Sequence, residues 1–143
     1  ETFAGAFAQG AEFEVRVLTA HDLDGIPPTP TFERGWTRPE TVIELGKRFG
    51  LDAVVVGDVR RAQWFPPQRL DVRVELVAVE TGASIWSGTV DVDTGDQRAR
   101  RALKAWYTHD RASGSDRGAS WELCLISPRL LAEFTAQVLA SGL

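Results

Sequence analysis

The sequence predicts an α/β domain of the α+β kind, with one mixed sheet of parallel crossover strands and an antiparallel hairpin, and with helices packed mainly on one face. Residues 13–18 alternate apolar and polar side chains, and residues 53–59 are a short valine-rich run, both typical of strands. Residues 37–50 have the apolar spacing of a helix, and a strand, a helix and a strand in succession favour a right-handed parallel crossover. Residues 69–92 alternate on both sides of a Thr-Gly step, which indicates a hairpin.

The opening residues have the pattern of the last turns of a helix, because Phe3 and Phe7 lie one turn apart and Gly10 follows. The first predicted strand, residues 13–18, leads into the longest loop, residues 19–36, which is rich in proline and glycine. A loop of this length is uncommon in a compact domain unless it binds something or is disordered.

The helix predicted over residues 37–50 has signals at both ends. Thr37 and Glu40 have the spacing of a capping box, in which each side chain bonds a free backbone N–H. Gly50 supplies the left-handed residue that ends the helix. The valine-rich run that follows is predicted to be an interior strand, covered on at least one face.

Each arm of the predicted hairpin places its apolar side chains on one face. Those of the first arm are Leu70, Val72, Val74, Leu76 and Ala78. These side chains can lie on the same face as the apolar side chains of the second arm only if the loop has an odd number of residues. A slip of one residue would move every side chain to the opposite face. We predict a three-residue loop, residues 80–82, with Gly82 left-handed in a bulge. The polar face has no spacing that suggests chemistry, so we interpret the hairpin as scaffold and expect Arg73→Ala to cost little stability.

The C-terminal part is predicted to be mainly helical. Residues 96–110 can form a helix, and residues 122–127 have the pattern of a buried strand in which Cys124 acts as a small hydrophobe. A final helix has Ser127 as its N-cap and Pro128 at its first position. Its apolar stripe is Leu131, Phe134 and Val138. The side chains expected to be mostly buried across the domain are Val42, Phe49, Val72, Val74, Trp86 and Phe134.

The composition is that of one ordinary globular domain. The chain has 143 residues, of which 43% are hydrophobic and 25% charged, and these values exclude disordered and collagen-like classes. A net charge of -4 argues against nucleic acid as the main ligand. No apolar run approaches the roughly 20 residues that a membrane helix needs. Because the sequence contains no methionine, we expect the chain to be a piece of a longer protein.

No pattern in the sequence indicates a reaction, a cofactor or a metal site. His21 with Asp22 and His109 with Asp110 are adjacent in polar segments without a third ligand at metal spacing, so we interpret both pairs as solvated.

Two charged groups follow the hairpin. The acidic group, Asp91, Asp93 and Asp96, lacks the glycine and the distal glutamate of a calcium loop. The basic residues between positions 98 and 104 have the spacing of an exposed helix face.

Large aromatic side chains in two loops are the best candidates for a binding site. Trp36 ends the long loop, and Trp64 with Phe65 lies in a proline-containing segment that cannot pair regularly. Such residues often only cover a core, but partner-binding anchors are drawn from the same residue types. Because parallel strands release their following loops at one end of a sheet, we expect these aromatic residues to be neighbours, with Trp64 and Phe65 partly exposed.

The stretch "GLDAVVVGDV" and the hairpin "AVETGASIWSG" resemble bacterial envelope lipoproteins. The group comprises the curli-secretion channel lipoprotein, lipoprotein activators of penicillin-binding proteins and the amino-terminal domain of the Tol propeller protein. The resemblance covers about residues 3–92, and the pore-forming segments of the secretion channel are not matched. The tail "SWELCLISPRLLAEF" resembles uncharacterised lipoproteins of planctomycete-type bacteria.

This resemblance implies a single periplasmic α/β domain over residues 1–143 that lacks its first strand. A removed N-terminal lipoprotein segment would anchor it to the outer membrane, and this lipid would be its one contact with the membrane. We therefore expect a non-enzymatic module that binds an envelope protein or a cell-wall component, without a cofactor. Two alternatives are a small hydrolase or ligand-binding enzyme domain that uses the histidines, and a structural domain of an envelope oligomer.

Overall fold

The computed structural model describes residues 2–10, 14–19, 21–24, 32–33, 36–111 and 120–142. In these residues the helices are α1 (Thr2–Gly10), α2 (Pro39–Phe49), α3 (Gln97–Trp106) and α4 (Pro128–Ala140). The strands are β1 (Phe32–Glu33), β2 (Trp36–Thr37), β3 (Ala53–Gln63), β4 (Arg69–Ala78) and β5 (Ser84–Asp93). A π-helical turn (Tyr107–Arg111) continues α3, and a 3₁₀ segment (Trp121–Leu125) precedes α4. The predicted combination of helices and a sheet is confirmed.

The main sheet is antiparallel, with the strand order β3-β4-β5. The predicted parallel crossover is not found among the described residues, because residues 14–19 form no strand and Val17 is 51% exposed. Alternation of side chains shows that one face of a segment can be buried, but a strand also needs a neighbouring backbone to complete its hydrogen bonds. β1 and β2 form a separate antiparallel ladder, in which Phe32 is opposite Thr37.

Helix α2 begins at Pro39, so the predicted capping box is wrong. Thr37 lies in β2, and the N-cap is Arg38, which makes no side-chain capping bond. The reason is that Pro39 has its φ angle already fixed near the helical value and needs no N–H partner, which makes it suited to the first helical position. The predicted end is confirmed, since Gly50 has a φ of 66°.

The chain divides into two compact units, and each contributes part of the three long strands. One unit comprises Arg16–Asp58 and Arg73–Thr89. Its core is formed by α2 and by the first half of β3. The buried side chains of this cluster are Val42, Leu45, Val54, Val56 and Val77. Phe49 and Leu18 pack against the cluster and are partly buried.

The other unit comprises Glu1–Val15, Val59–Val72 and Val90–Leu143. Its helices α1 and α4 pack against each other, and the 3₁₀ segment contacts α3 and α4. The buried hydrophobic residues of this unit are Phe7, Leu70, Val72, Val92, Leu103, Tyr107, Cys124, Leu131, Phe134, Ala136 and Leu139. None of the helices in the described ranges is long and apolar enough to cross a membrane.

The hairpin of β4 and β5 is present, but its buried residues do not lie on one face. Along β4 the buried positions are first Leu70, Val72 and Val74, and then Glu75 and Val77. Leu76 and Ala78, predicted to be on the apolar face, are only partly buried. Because successive side chains point to opposite faces, both faces of β4 have buried residues, and the prediction of helices mainly on one face does not account for them.

The hairpin loop has a left-handed glycine near its end. Ala78 accepts a hydrogen bond from Gly82 and donates one to Ala83, and Gly82 has a φ of 67°. The left-handed glycine is as predicted, but the loop between these bonds is residues 79–82, so it has four residues and the predicted three-residue loop is wrong. At the other end of the hairpin Gln68 accepts from Thr94, so the segment of β5 between these bonds is one residue longer than that of β4. The extra residue shifts the register within the ribbon.

Two details of the C-terminal part differ from the prediction. Cys124 is fully buried, but it lies in the 3₁₀ segment rather than in a strand. The chain turns here because the backbone N–H groups of Ile126 and Ser127 both donate to the carbonyl oxygen of Leu123. In α4 the Ser127 hydroxyl accepts from Leu130, which confirms the N-cap. Val138 is 40% exposed, and the neighbouring Leu139 is buried instead.

Candidate functional site

The most exposed aromatic residues of the described chain lie in the turn that joins β3 to β4. Phe65 is 81% exposed and Trp64 is 44% exposed, so the predicted exposure of both side chains is confirmed. Pro66 and Pro67, which follow, are also exposed. We refer to residues 64–67 as the aromatic turn. Four consecutive exposed residues with large apolar groups thus lie at the end of the hairpin formed by β3 and β4.

Two glutamine side chains bond the carbonyl oxygens of this turn. Gln63 Nε2 donates to the carbonyl oxygen of Pro67 at 2.8 Å and to that of Phe65 at 3.4 Å. Gln68 Nε2 donates to the carbonyl oxygen of Trp64 at 3.0 Å. These bonds satisfy carbonyl oxygens that have no neighbouring strand to bond, because the two prolines prevent regular strand pairing in the turn. They therefore fix the conformation in which Trp64 and Phe65 are presented.

Gln68 also connects the aromatic turn to the end of β5. Its backbone carbonyl oxygen accepts from Thr94 N at 2.8 Å and from Thr94 Oγ1 at 3.1 Å. Both residues are almost fully buried, at 0% for Gln68 and 1% for Thr94. Gly95 lies so near the turn that a Cβ atom there would be 3.5 Å from Pro67 Cβ. The rings of Trp64 and Phe65 thus extend from a buried, hydrogen-bonded base that consists of Gln68 and Thr94.

Charged side chains lie beside this base. Arg69 donates two hydrogen bonds to the Asp91 carboxylate, at 3.0 Å and 2.5 Å. The bonds from Arg69 lower the pKa of Asp91, and the positive charges of Arg61 and Arg60 lower it further. The same pairing raises the pKa of Arg69. Aromatic residues beside exposed charges are the composition of an interface with apolar anchors and a polar rim.

Trp36 is placed by its backbone alone, in β2 opposite Glu33. Its side chain lies outside the described residues. The expected neighbourhood of Trp36 and the aromatic turn depended on parallel strands, which the described residues do not form, so it stays a prediction.

The two histidines make only local contacts. His21 Nδ1 lies 3.0 Å from Asp24 Oδ2, and both side chains are largely exposed. The neighbouring Asp22 instead accepts from Thr19, whose N–H and hydroxyl lower the pKa of the Asp22 carboxyl. His109 Nδ1 lies 3.0 Å from the carbonyl oxygen of Ala105, in its own helix, and the side chain of Asp110 is outside the described residues.

The described residues contain a surface depression but no group of metal ligands. No group of three or more His, Cys, Asp or Glu side chains within the described chain could hold a metal ion. A shallow depression runs along the exposed face of α2, lined by Glu40, Ile43, Glu44, Lys47 and Arg48. Neither histidine lines this depression.

Protein-family models, curated proteins and solved structures gave no match to this chain. The resemblance to envelope lipoproteins therefore stays a prediction.

Sequence reasoning found the aromatic rings but not the residues that brace them. Gln63 and Gln68 flank "WFPP" symmetrically, and a turn with two prolines has carbonyl oxygens that need donors. An amide side chain on each side of such a turn was the available signal.

Proposed function

We propose that this domain is a non-enzymatic binding module of the bacterial cell envelope, and that the aromatic turn is its contact with a protein partner. One observation carries the proposal. Phe65 is 81% exposed on a turn whose carbonyl oxygens are bonded by Gln63 and Gln68. Covering such a ring removes apolar area from water, and little conformational entropy is lost because the turn is already ordered.

The surroundings of the turn support a protein partner. Trp64 adds a second large ring with an N–H group, and tryptophan is among the residues that most often dominate the binding free energy of protein interfaces. The Arg69–Asp91 pair lies at the base of the turn and supplies a polar border. The envelope location is supported by the sequence resemblance alone. A cell-wall component is the alternative ligand that the experiments below separate from a protein.

An enzymatic function is the alternative of a different class. It would require one of the histidines within hydrogen-bond reach of a second catalytic group in a pocket. His21 contacts Asp24 with both side chains open to water, and His109 contacts a backbone carbonyl oxygen of its own helix. These contacts favour solvated surface residues. Retention of function by a His21→Ala, His109→Ala double variant is the expected result.

Site-specific photo-crosslinking tests the proposed contact. A photoreactive phenylalanine analogue at position 65 of the intact gene product, expressed in its host, should give one discrete crosslinked protein band after irradiation. The matched control places the analogue at Ile85, which is 60% exposed in β5. The Ile85 position should give no such band.

Two results would overturn the proposal. The first is a crosslinking pattern at position 65 no different from that at Ile85. The second is full affinity of a Trp64→Ala, Phe65→Ala double variant for the crosslinked protein, measured with both purified. Phe65 is largely exposed and Trp64 is half exposed, so this variant should stay folded, which its circular dichroism spectrum checks. If the original domain, but not the variant, sediments with purified cell-wall sacculi and no protein crosslink forms, the ligand is a cell-wall component.

The proposed location has its own test. Fractionation of host cells should recover the intact gene product with envelope membranes, and treatment of whole spheroplasts with protease should degrade it. Recovery in the cytoplasmic fraction would contradict an envelope function while leaving the binding site to be judged by crosslinking.

A further inference from the structure

The outer side of β3 has backbone groups that point away from the sheet. β3 lies at one edge of the strand order β3-β4-β5. The carbonyl oxygen of Asp52, just before the strand, accepts from Val79 N at 2.9 Å, and so it points toward the β4 side. Because backbone direction alternates along a strand, the N–H and C=O groups of Val55, Gly57 and Val59 point outward.

This edge is also open to water. Val55 is 40% exposed and Val59 is 55% exposed, and every residue from 59 to 63 is exposed. Among the described residues no strand pairs with this side of β3. An exposed edge strand of this length is a template for pairing with another strand.

The charges along β3 select one partner. Asp58 and Arg60 are two residues apart and so lie on the same face of the strand. In an antiparallel pair of two identical β3 strands with the twofold axis at Val59, Asp58 of each copy is directly opposite Arg60 of the other. The strand is therefore complementary to itself, and the two ion pairs form together.

Neighbouring registers are disfavoured by the same charges, and an axis at Gly57 would place neither Asp58 nor Arg60 opposite a charge of the other sign. An axis at Asp58 places two aspartates opposite each other, and an axis at Arg60 or Arg61 places two arginines opposite each other. Like charges directly opposite across a strand pair are destabilising. The register centred on Val59 has no such conflict and also places Val59 against Val59 on the other face.

We propose that a second copy of this chain pairs with the outer edge of β3, forming a symmetric dimer with a continuous six-stranded sheet centred on Val59. A twofold axis makes the contact isologous, so each copy contributes the same residues and the association closes at two chains. The outward N–H and C=O groups of Val59 bond those of Val59 in the second copy. This dimer is independent of the aromatic turn and goes beyond the proposed function.

Sedimentation velocity on charge-reversed variants tests the dimer. The original chain should change from monomer to dimer as its concentration rises from about 1 µM to about 300 µM. Asp58→Arg and Arg60→Asp should each weaken association about tenfold or more, because both variants turn two attractive pairs into repulsive ones. An equal mixture of the two single variants should dimerise as one-to-one heterodimers, because each strand then has the charge that the other lacks.

A proline variant tests the backbone part of the proposal. Proline is tolerated in an edge strand where the N–H faces outward, so Val59→Pro should keep the circular dichroism spectrum of the folded domain and be monomeric. The Trp64→Ala, Phe65→Ala variant should dimerise as the original chain does, which separates this inference from the proposed function. A chain that stays monomeric up to about 300 µM overturns the proposal, and so does a dimer that tolerates both single charge reversals and Val59→Pro.

Discussion

Gln68 and Trp64 are joined by a hydrogen bond from the Gln68 side-chain amide to the Trp64 carbonyl oxygen, 3.0 Å long. The donor residue is fully buried and the acceptor residue is half exposed. This one contact connects the buried base of the aromatic turn to the backbone of the residue whose ring is partly exposed. The presentation of Trp64 therefore depends on a residue that no partner can touch.

Gln68→Ala should lower the free energy of unfolding by about 1–3 kcal/mol, because it removes this bond and leaves space in a packed site. Gln63→Ala is the matched control, since Gln63 also bonds the turn but is exposed. The control should cost about 0.5–1 kcal/mol. Urea unfolding of both variants measures the difference. Equal losses would show that the burial of Gln68 does not matter.

Val72 and Arg73 test the two faces of β4. Val72 is 3% exposed, so Val72→Asp should cost about 4 kcal/mol or more by placing a charge in the core. Arg73 forms an ion pair with Glu75, which is only 2% exposed. Arg73→Ala removes this cation from beside a buried carboxylate and should cost about 1–3 kcal/mol, more than the alternation of the sequence suggests.

Thermal unfolding of these two variants and of Arg98→Ala checks the assignment. Arg98 is exposed on α3, and its truncation should change stability by less than about 0.5 kcal/mol. An Arg73→Ala variant as stable as Arg98→Ala would contradict the importance of the pair with Glu75.

Two helical glycines should respond in opposite ways to alanine. A Cβ atom at Gly46 would overlap the side chain of Val79, so Gly46→Ala should cost about 1–3 kcal/mol through overpacking. A Cβ atom at Gly5 would meet no atom within 4 Å in the described structure. Gly5→Ala should therefore stabilise the domain by about 0.5–1 kcal/mol through helix propensity. Chemical denaturation of both variants measures the two signs, and a stabilised Gly46→Ala would refute the close approach.

The Asp91 carboxyl should titrate below its ordinary range. Its pKa in the folded protein is lowered, chiefly by the hydrogen bonds from Arg69. The pair therefore stabilises the fold at a pH above the unfolded pKa of about 3.9. This contribution is lost as the pH falls through the folded pKa. The pair is partly exposed, so water and salt screen its contribution to stability. Arg69→Gln should raise the pKa of Asp91 in an NMR titration of the carboxyl carbon, and Arg98→Gln should leave it unchanged.

The local signals of the sequence determined most helix ends and the hairpin. Ser127 caps α4 because its hydroxyl accepts a backbone N–H within one turn, and Gly50 ends α2 because glycine adopts a left-handed φ without strain. The exposure of Phe65 followed from its place beside two prolines, which exclude regular pairing. These features depend on interactions within a few residues, and such interactions are readable from the order of residue types.

Tertiary structure alone decided which strands are neighbours and which faces are buried. The alternation in residues 13–18 could not show that residues 14–19 lack a ladder partner, because pairing depends on a distant backbone. The switch of burial from Val74 to Glu75 and Val77 follows the packing partners of β4, since Val77 belongs to the cluster of α2 whereas Leu70 and Val72 belong to the other unit. Which helix covers a given stretch of strand depends on distant parts of the chain. The burial of Gln68 required Thr94, which lies 26 residues further along the chain, to bond its carbonyl oxygen, and no short-range signal in the sequence specifies this contact.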